Sequence, residues 1–148
     1  MHEEAGWTRV HALLDWLTTD EIIEPGYFAE DWSAKDMLAH IGSWLAAAGA
    51  ALEQIRLGTD RPGEIDIDAM NARFLAAMRD VPLPDVRIQA AASRMRMLAE
   101  WKTMPEADDT AAFWARTGPE HYDAHLPRLQ VWVAELLEGR SGRASVIA

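Results

Sequence analysis

The chain of 148 residues has the length of one ordinary domain and contains no cysteine, which excludes disulfides, thiolate metal sites and a cysteine nucleophile. Acidic side chains outnumber basic ones by 24 to 14, and a net charge of −10 repels phosphate backbones, so we expect no nucleic-acid partner. The chain does not open with a basic and apolar leader, and no segment approaches the roughly 20 apolar residues of a membrane span. We therefore expect a soluble, cytoplasmic protein with no membrane partner.

The first predicted helix runs from Glu3 to about Thr18. Its apolar residues recur at intervals of three and four, which is the period of one face of an α-helix: Trp7, Val10, Leu14 and Leu17. The turn-forming residues Pro25 and Gly26 end this pattern before the next element.

A second, longer helix is predicted between Ser33 and Gly58. Ser33 and Asp36 have the spacing of a capping box, in which each side chain satisfies a backbone amide of the other residue. Gly58 is suited to the left-handed conformation that ends many helices. The apolar positions between them keep the helical period: Met37, Ile41, Trp44, Leu45, Leu52 and Ile55.

Two long connections flank a third long helix. The connection Thr59–Asp85 contains a short predicted helix at Ile67–Met78, and the long helix follows from about Asp85 to Trp101. The second connection extends from Met104 to Gly118. Two aromatic residues are expected to anchor it to the core: Phe113 and Trp114.

The last predicted helix begins near Pro119, which suits a first-turn position, and ends at Gly139. We expect residues 1–139 to form a single domain and residues 140–148 to form a flexible tail. Four long helices without strand-like alternation predict an all-α fold, a four-helix bundle with long helix 2–3 and helix 3–4 connections.

Pro127 falls inside the last predicted helix. Proline lacks the amide hydrogen that would bond the carbonyl of Asp123, and its ring clashes with that carbonyl. Either the helix is kinked at this point, or the helix proper begins only after His125. Because Pro119 suits the first turn of a helix, we favour the kinked helix.

Three histidines are the candidate metal ligands. His121 and His125 are four residues apart, so they share one helix face with Cβ atoms roughly 5–6 Å apart. If the second helix packs against that turn, His40 joins them, and three neutral imidazoles can hold a divalent metal with one position left open. Each pattern alone has a simpler interpretation, because a single histidine on an apolar helix is usually a core residue and two histidines at this spacing often occur by chance.

Two further residues of the second helix are candidates for the same site. Trp44, one turn after His40, could line a binding pocket. Asp36, one turn before His40, could either cap its helix or orient a ligand or bound water.

The stretch Trp-Ser-Ala-Lys-Asp-Met-Leu-Ala-His-Ile at 32–41 resembles the second-helix signature of the DinB/YfiT-like superfamily, which includes the N-terminal domains of mycothiol-dependent maleylpyruvate isomerases. The family's histidine in this helix matches His40, and its pair in the fourth helix matches His121 and His125. The stretch His-Tyr-Asp-Ala-His-Leu-Pro at 121–127 also resembles the related ClbS/DfsB-like bundle proteins. The resemblance implies a DinB-type bundle, a nickel or zinc ion on the histidine triad, a homodimer and a low-molecular-weight thiol as cosubstrate.

The leading hypothesis is a small metalloenzyme that acts on a small molecule, either as a thiol-dependent transferase or isomerase or as a metal-dependent hydrolase. Because the chain has no cysteine, an activated thiol such as mycothiol would arrive as a cosubstrate. The alternative is a non-catalytic helical module that binds or sequesters a small toxic molecule. A third hypothesis is a structural dimer whose histidines no longer bind metal.

Overall fold

The structure is a computed structural model that describes residues 2–29, 31–61, 63–104 and 108–147, with side chains up to residue 142. Its described part contains seven helices: α1 (His2–Leu14), α2 (Thr19–Ile23), α3 (Ala34–Leu57), α4 (Ile67–Met78), α5 (Leu83–Trp101), α6 (Asp109–Ala115) and α7 (Thr117–Ile147). Apart from one isolated bridge between Phe28 and Trp32, these residues form no strand pairing. The predicted all-α fold is confirmed.

The chain between Glu3 and Ile23 forms two helices where one was predicted. α1 ends at Leu14, and Thr18 starts α2 by a capping box of its own. The Thr18 hydroxyl accepts from the Glu21 amide at 3.2 Å, and the Glu21 carboxylate accepts from the Thr18 amide at 2.9 Å. The prediction that the first helix reaches Thr18 is wrong, because this residue caps a new helix.

α3 begins and ends where the sequence predicted. The Ser33 hydroxyl accepts from the Asp36 amide at 3.2 Å, and the Asp36 carboxylate accepts from the Ser33 amide at 2.9 Å. At the other end, Gly58 has a φ of 68°, which is the left-handed conformation that closes a helix. More than half of α3 is buried, so this helix lies at the centre of the molecule.

The two connections are more helical than predicted. α4 occupies Ile67–Met78, as expected, and α5 begins at Leu83 because Pro84 fits the first turn of a helix. The second connection contains α6, which the sequence analysis did not predict. Asp108 starts α6 by accepting from the amides of Thr110 at 2.9 Å and Ala111 at 3.0 Å.

Only one of the two predicted aromatic anchors packs against the core. Trp114 is partly buried against it, whereas Phe113 remains 42% exposed. The prediction for Phe113 is wrong because it faces outward from α6, toward a cavity described below.

α7 is one helix of 31 residues with Pro127 in its interior. The alternative in which the helix proper begins after His125 is therefore wrong. The predicted end at Gly139 is wrong as well, because the helix continues to Ile147 and Arg140 pairs with Glu21 of α2. The expected flexibility of residues 140–148 stays a prediction, and Ala148 lies outside the described residues.

The long helices pack around a single core. α3 packs along α5 and against α7, and α7 packs along α1. α1 and α5 are joined by an ion pair of 2.6 Å between Glu3 and Arg94, with little of either side chain exposed. This arrangement does not conflict with the four-helix bundle, which stays a prediction. None of the helices in the described ranges has the length and apolarity needed to cross a membrane.

Candidate metal centre

The packing of α3 against α7 brings the three predicted ligands together. His40 lies in the second turn of α3, and His121 and His125 lie in the first turns of α7. The ring centroid of His40 is 5.2 Å from that of His121 and 5.4 Å from that of His125. The centroids of His121 and His125 are 6.4 Å apart. The three rings therefore form one cluster, as the sequence analysis expected.

The spacing of the cluster can be compared with what a metal requires. A metal about 2.1 Å from one nitrogen of each ring, with tetrahedral angles, separates the ring centroids by about 5.2 Å. The two separations that involve His40 match this value, and the third exceeds it by about 1 Å. The ring planes of His121 and His125 are nearly parallel, at 18°. It is the wide separation of these two rings that departs from the spacing around a bound metal.

Within the described residues, no group of three or more His, Cys, Asp or Glu side chains has an arrangement that could hold a metal as it stands. This absence agrees with the wide separation of His121 and His125. Imidazole nitrogens are ligands that nickel and zinc accept, but the rings of His121 and His125 would have to move closer together to bind one ion.

A hydrogen bond to the Nδ1 atom of His121 favours the tautomer that leaves its Nε2 atom available to a metal. The Nδ1 atom of His121 lies 2.7 Å from the carbonyl oxygen of Thr117. Because a carbonyl only accepts, this nitrogen carries the proton and Nε2 keeps a lone pair. The Nδ1 atom of His125 lies 3.3 Å from the hydroxyl of Tyr27. The ring nitrogens of His40 have no hydrogen-bond partner within the described part of the chain.

All three imidazoles are held in the neutral state. Burial, reinforced by the neighbouring His121 and His125, lowers the pKa of His40 to about 3. Burial and the proximity of His121 lower the pKa of His125 to about 4, and burial also lowers the pKa of His121. At neutral pH each ring therefore keeps a nitrogen lone pair that can bind a cation.

Tyr27 is a residue of the site that the sequence analysis missed. Its side chain is completely buried, and burial raises its pKa to about 12, so the hydroxyl stays protonated beside His125. Arg128 fixes this segment by donating to the carbonyl oxygens of Tyr27 and Gly26. The local sequence had no signal for this role, because Tyr27 follows a turn and lies 98 residues before His125.

The two other predicted site residues have different positions. The Asp36 carboxylate accepts from both the amide and the hydroxyl of Ser33, at 2.9 and 3.0 Å, which is the capping role. No hydrogen bond joins Asp36 to a histidine in the described ranges. Trp44 lies beside the cluster, with its ring 5.6 Å from that of His121, and its Nε1 atom donates to Oδ1 of Asn71 at 2.8 Å.

A cavity of about 150 Å³ adjoins the cluster at His121, and we call it the His121 cavity. It lies between α3, α4, α6 and the start of α7. The residues that line it are mostly apolar or aromatic: Trp44, Ile65, Ile67, Asn71, Phe113, Thr117, Glu120 and His121. His121 belongs to both the cavity wall and the cluster, so a small molecule in the cavity would touch the candidate metal centre.

Comparisons of the chain with protein-family models, curated proteins and solved structures returned no match. The resemblance to the DinB/YfiT-like superfamily stays a prediction from the motifs around His40 and His121.

Proposed function

We propose that this protein is a small metalloenzyme in which His40, His121 and His125 bind one nickel or zinc ion with an open coordination position. The observation that carries the proposal is the convergence of three neutral imidazoles from two helices. Burying three imidazoles side by side costs solvation without forming a mutual hydrogen bond, and a cation would offset that cost. The DinB/YfiT-like motifs lead to the same ligand set.

The chemistry of such a centre follows from its neutral ligands. A divalent ion on three imidazoles keeps its full +2 charge, which polarises a substrate oxygen and lowers the pKa of a bound water or thiol. The protein itself holds the ligand rings, through Thr117 and Tyr27, and encloses the substrate in the His121 cavity. We propose a thiol-dependent transferase or isomerase, with the thiol supplied as a cosubstrate, or a metal-dependent hydrolase.

The alternative function is a non-catalytic module that binds a small molecule in the His121 cavity. Two observations favour it: the apolar lining of the cavity, and the absence within the described residues of a group of side chains arranged to hold a metal. In this alternative the histidines are neutral lining groups without a metal.

Metal analysis discriminates between the two functions. Protein purified without a histidine tag and dialysed against nickel or zinc should retain close to one ion per chain, and His125→Ala should reduce retention to background. His11→Ala is the matched control, because His11 is a partly buried helical histidine that bonds the Trp7 carbonyl outside the cluster. Background metal in the wild-type protein, or full occupancy in a folded His125→Ala variant, would rule out this triad.

A further inference from the structure

The mouth of the His121 cavity is unusually apolar. Three of its lining residues leave a large part of an apolar side chain in solvent: Ile65 at 36%, Ile67 at 54% and Phe113 at 42%. Single exposed apolar residues are common on soluble proteins. Here, however, three of them, two at or just before the start of α4 and one on α6, line the same cavity as Trp44 and His121. Apolar clustering around a concave site is typical of a ligand pocket.

The wall of the cavity also contains one amide group, that of Asn71, whose orientation is fixed by a hydrogen bond. Trp44 donates its Nε1 hydrogen to Oδ1 of Asn71 at 2.8 Å, which fixes the orientation of the Asn71 amide. The Nδ2 group of Asn71 then keeps two hydrogens that have no partner among the described residues. A ligand in the cavity can accept one of them through a carbonyl or ether oxygen.

The charge of the lining limits the charge of the ligand. Glu120 is the carboxylate of the wall, and it is 63% exposed beside Arg116 at 3.4 Å. The described lining contains no lysine or arginine that would pair with an anion. A negative group inside the cavity would therefore lose its hydration without gaining an ion pair.

We propose that the His121 cavity binds the uncharged body of the substrate, a flat apolar ring with one hydrogen-bond acceptor. The ring would lie between Trp44 and Phe113, and the acceptor would face the Asn71 amide. The volume of about 150 Å³ suits one substituted ring, because it equals roughly five times the volume of a water molecule in the liquid. The role of this molecule as substrate rests on the proposed function, whereas its binding to the cavity does not.

Titration with benzamide, observed by NMR, tests the binding. The indole N–H signal of Trp44, identified by its loss in Trp44→Phe, should shift saturably at millimolar benzamide in both metal-free and zinc-loaded protein. Acetamide lacks the ring and benzoate carries a charge, so both should bind metal-free protein at least about five-fold more weakly. No saturable shift up to tens of millimolar, or equal affinity for benzamide and acetamide, would overturn the inference.

Variants separate the contributions of the ring and the acceptor. Phe113→Ala should weaken benzamide binding about five-fold, since an aromatic contact is lost. Val131→Ala, an exposed apolar position on α7 outside the cavity, should leave it unchanged. Asn71→Leu should weaken benzamide about five-fold but not toluene, which has no acceptor. Unchanged benzamide affinity in both Phe113→Ala and Asn71→Leu would contradict the proposed binding mode. The zinc content, measured on the same samples, tests the metal proposal separately.

Discussion

At the scale of single residues, the histidine nitrogens that do not bind the metal also affect metal binding. An imidazole binds a metal through one nitrogen, and a hydrogen bond at the other sets its tautomer and orientation. The Thr117 carbonyl has this role for His121, and the Tyr27 hydroxyl is placed to have it for His125. Arg128 holds the backbone of Tyr27, which keeps the hydroxyl beside the ring.

Tyr27→Phe should lower the affinity for zinc or nickel about ten-fold, which is the usual effect of removing a hydrogen bond to a metal-binding histidine. The phenyl ring keeps the packing, so the helical signal should not change. Tyr122→Phe is the matched control, because it removes another buried hydroxyl, one that bonds Glu3. Competition titration with a chelator measures both affinities. Equal affinities in Tyr27→Phe and wild type would show that the hydroxyl does not position His125.

At the scale of the helices, the contact between α3 and α5 depends on a small residue. A Cβ atom at Gly42 would lie 3.0 Å from the Cα atom of Ala90, whose helix would have to move. Gly49 lies further along the same helix contact. A Cβ atom added there would lie 3.5 Å from atoms of Arg96 and Met97, which is an ordinary van der Waals distance. The two glycines therefore differ in packing, although both lie within one helix.

Gly42→Ala and Gly49→Ala should have opposite effects on the free energy of unfolding. Replacing a helical glycine by alanine gains about 1 kcal/mol of helix propensity, and Gly49→Ala should retain most of it. At Gly42 the gain is offset by overpacking, which typically costs about 1–3 kcal/mol, so the net effect should be destabilising. Urea denaturation measures both variants. Equal stabilisation by the two substitutions would show that α3 and α5 do not approach closely at Gly42.

One ion pair joins the last turns of α7 to α2. The Arg140 guanidinium donates to both oxygens of the Glu21 carboxylate and to the carbonyl oxygen of Trp16. Arg140 lowers the pKa of Glu21 from 4.5 to about 2. The pair explains why the helix continues beyond Gly139 instead of ending there.

Arg140→Gln should lower the Tm by a few degrees at pH 7, and the difference from wild type should disappear in acid. The folded-state pKa of Glu21 lies below its unfolded value, so the unfolded chain binds more protons between pH 4.5 and about 2. The stabilisation is therefore complete above pH 4.5 and is lost as the pH falls toward 2. Thermal unfolding of both proteins from pH 7 to pH 2 measures it. A difference that does not depend on pH would mean that Arg140 acts by packing alone.

At the scale of the whole molecule, one face of α5 remains uncovered. Ile88 is 68% exposed and Met95 is 69% exposed, and the spacing of seven residues places them on the same side of the helix. Exposed apolar side chains aligned on one helix are suited to a symmetric contact with a second copy. They lie on the third long helix, and the homodimer itself stays a prediction.

Light scattering at micromolar concentration should give the mass of a dimer for the wild-type chain and of a monomer for the double variant Ile88→Glu and Met95→Glu. Burying the two introduced carboxylates in the dimer contact would cost more free energy than the burial of apolar surface contributes. Arg87→Glu, a charge change on the adjacent position of α5, controls for net charge. A monomeric wild-type protein would contradict the homodimer.

Much of the fold could be predicted because its signals act over a few residues. The capping box of Ser33 and Asp36, the left-handed Gly58 and the helical apolar period determine α3 locally, and the bounds of α4 follow from the same kind of pattern. α6 was missed because its start depends on one capping aspartate in a short segment with little periodicity. The end of α7 was misplaced at Gly139 because its partner, Glu21, is remote in sequence.

The candidate site likewise has features that the local sequence determines and features that depend on tertiary packing. The sequence alone determined that His121 and His125 share a helix face, since the α-helix repeats every 3.6 residues. Only the packing of α3 against α7 decided that His40 meets them, that the three rings become partly buried and stay neutral, and that Tyr27 reaches His125 across 98 residues. Packing likewise joined Trp44 to Asn71 and opened the His121 cavity beside them. Helix periods and caps are set by bonds within a few residues, whereas contacts between distant segments depend on how whole helix faces fit together.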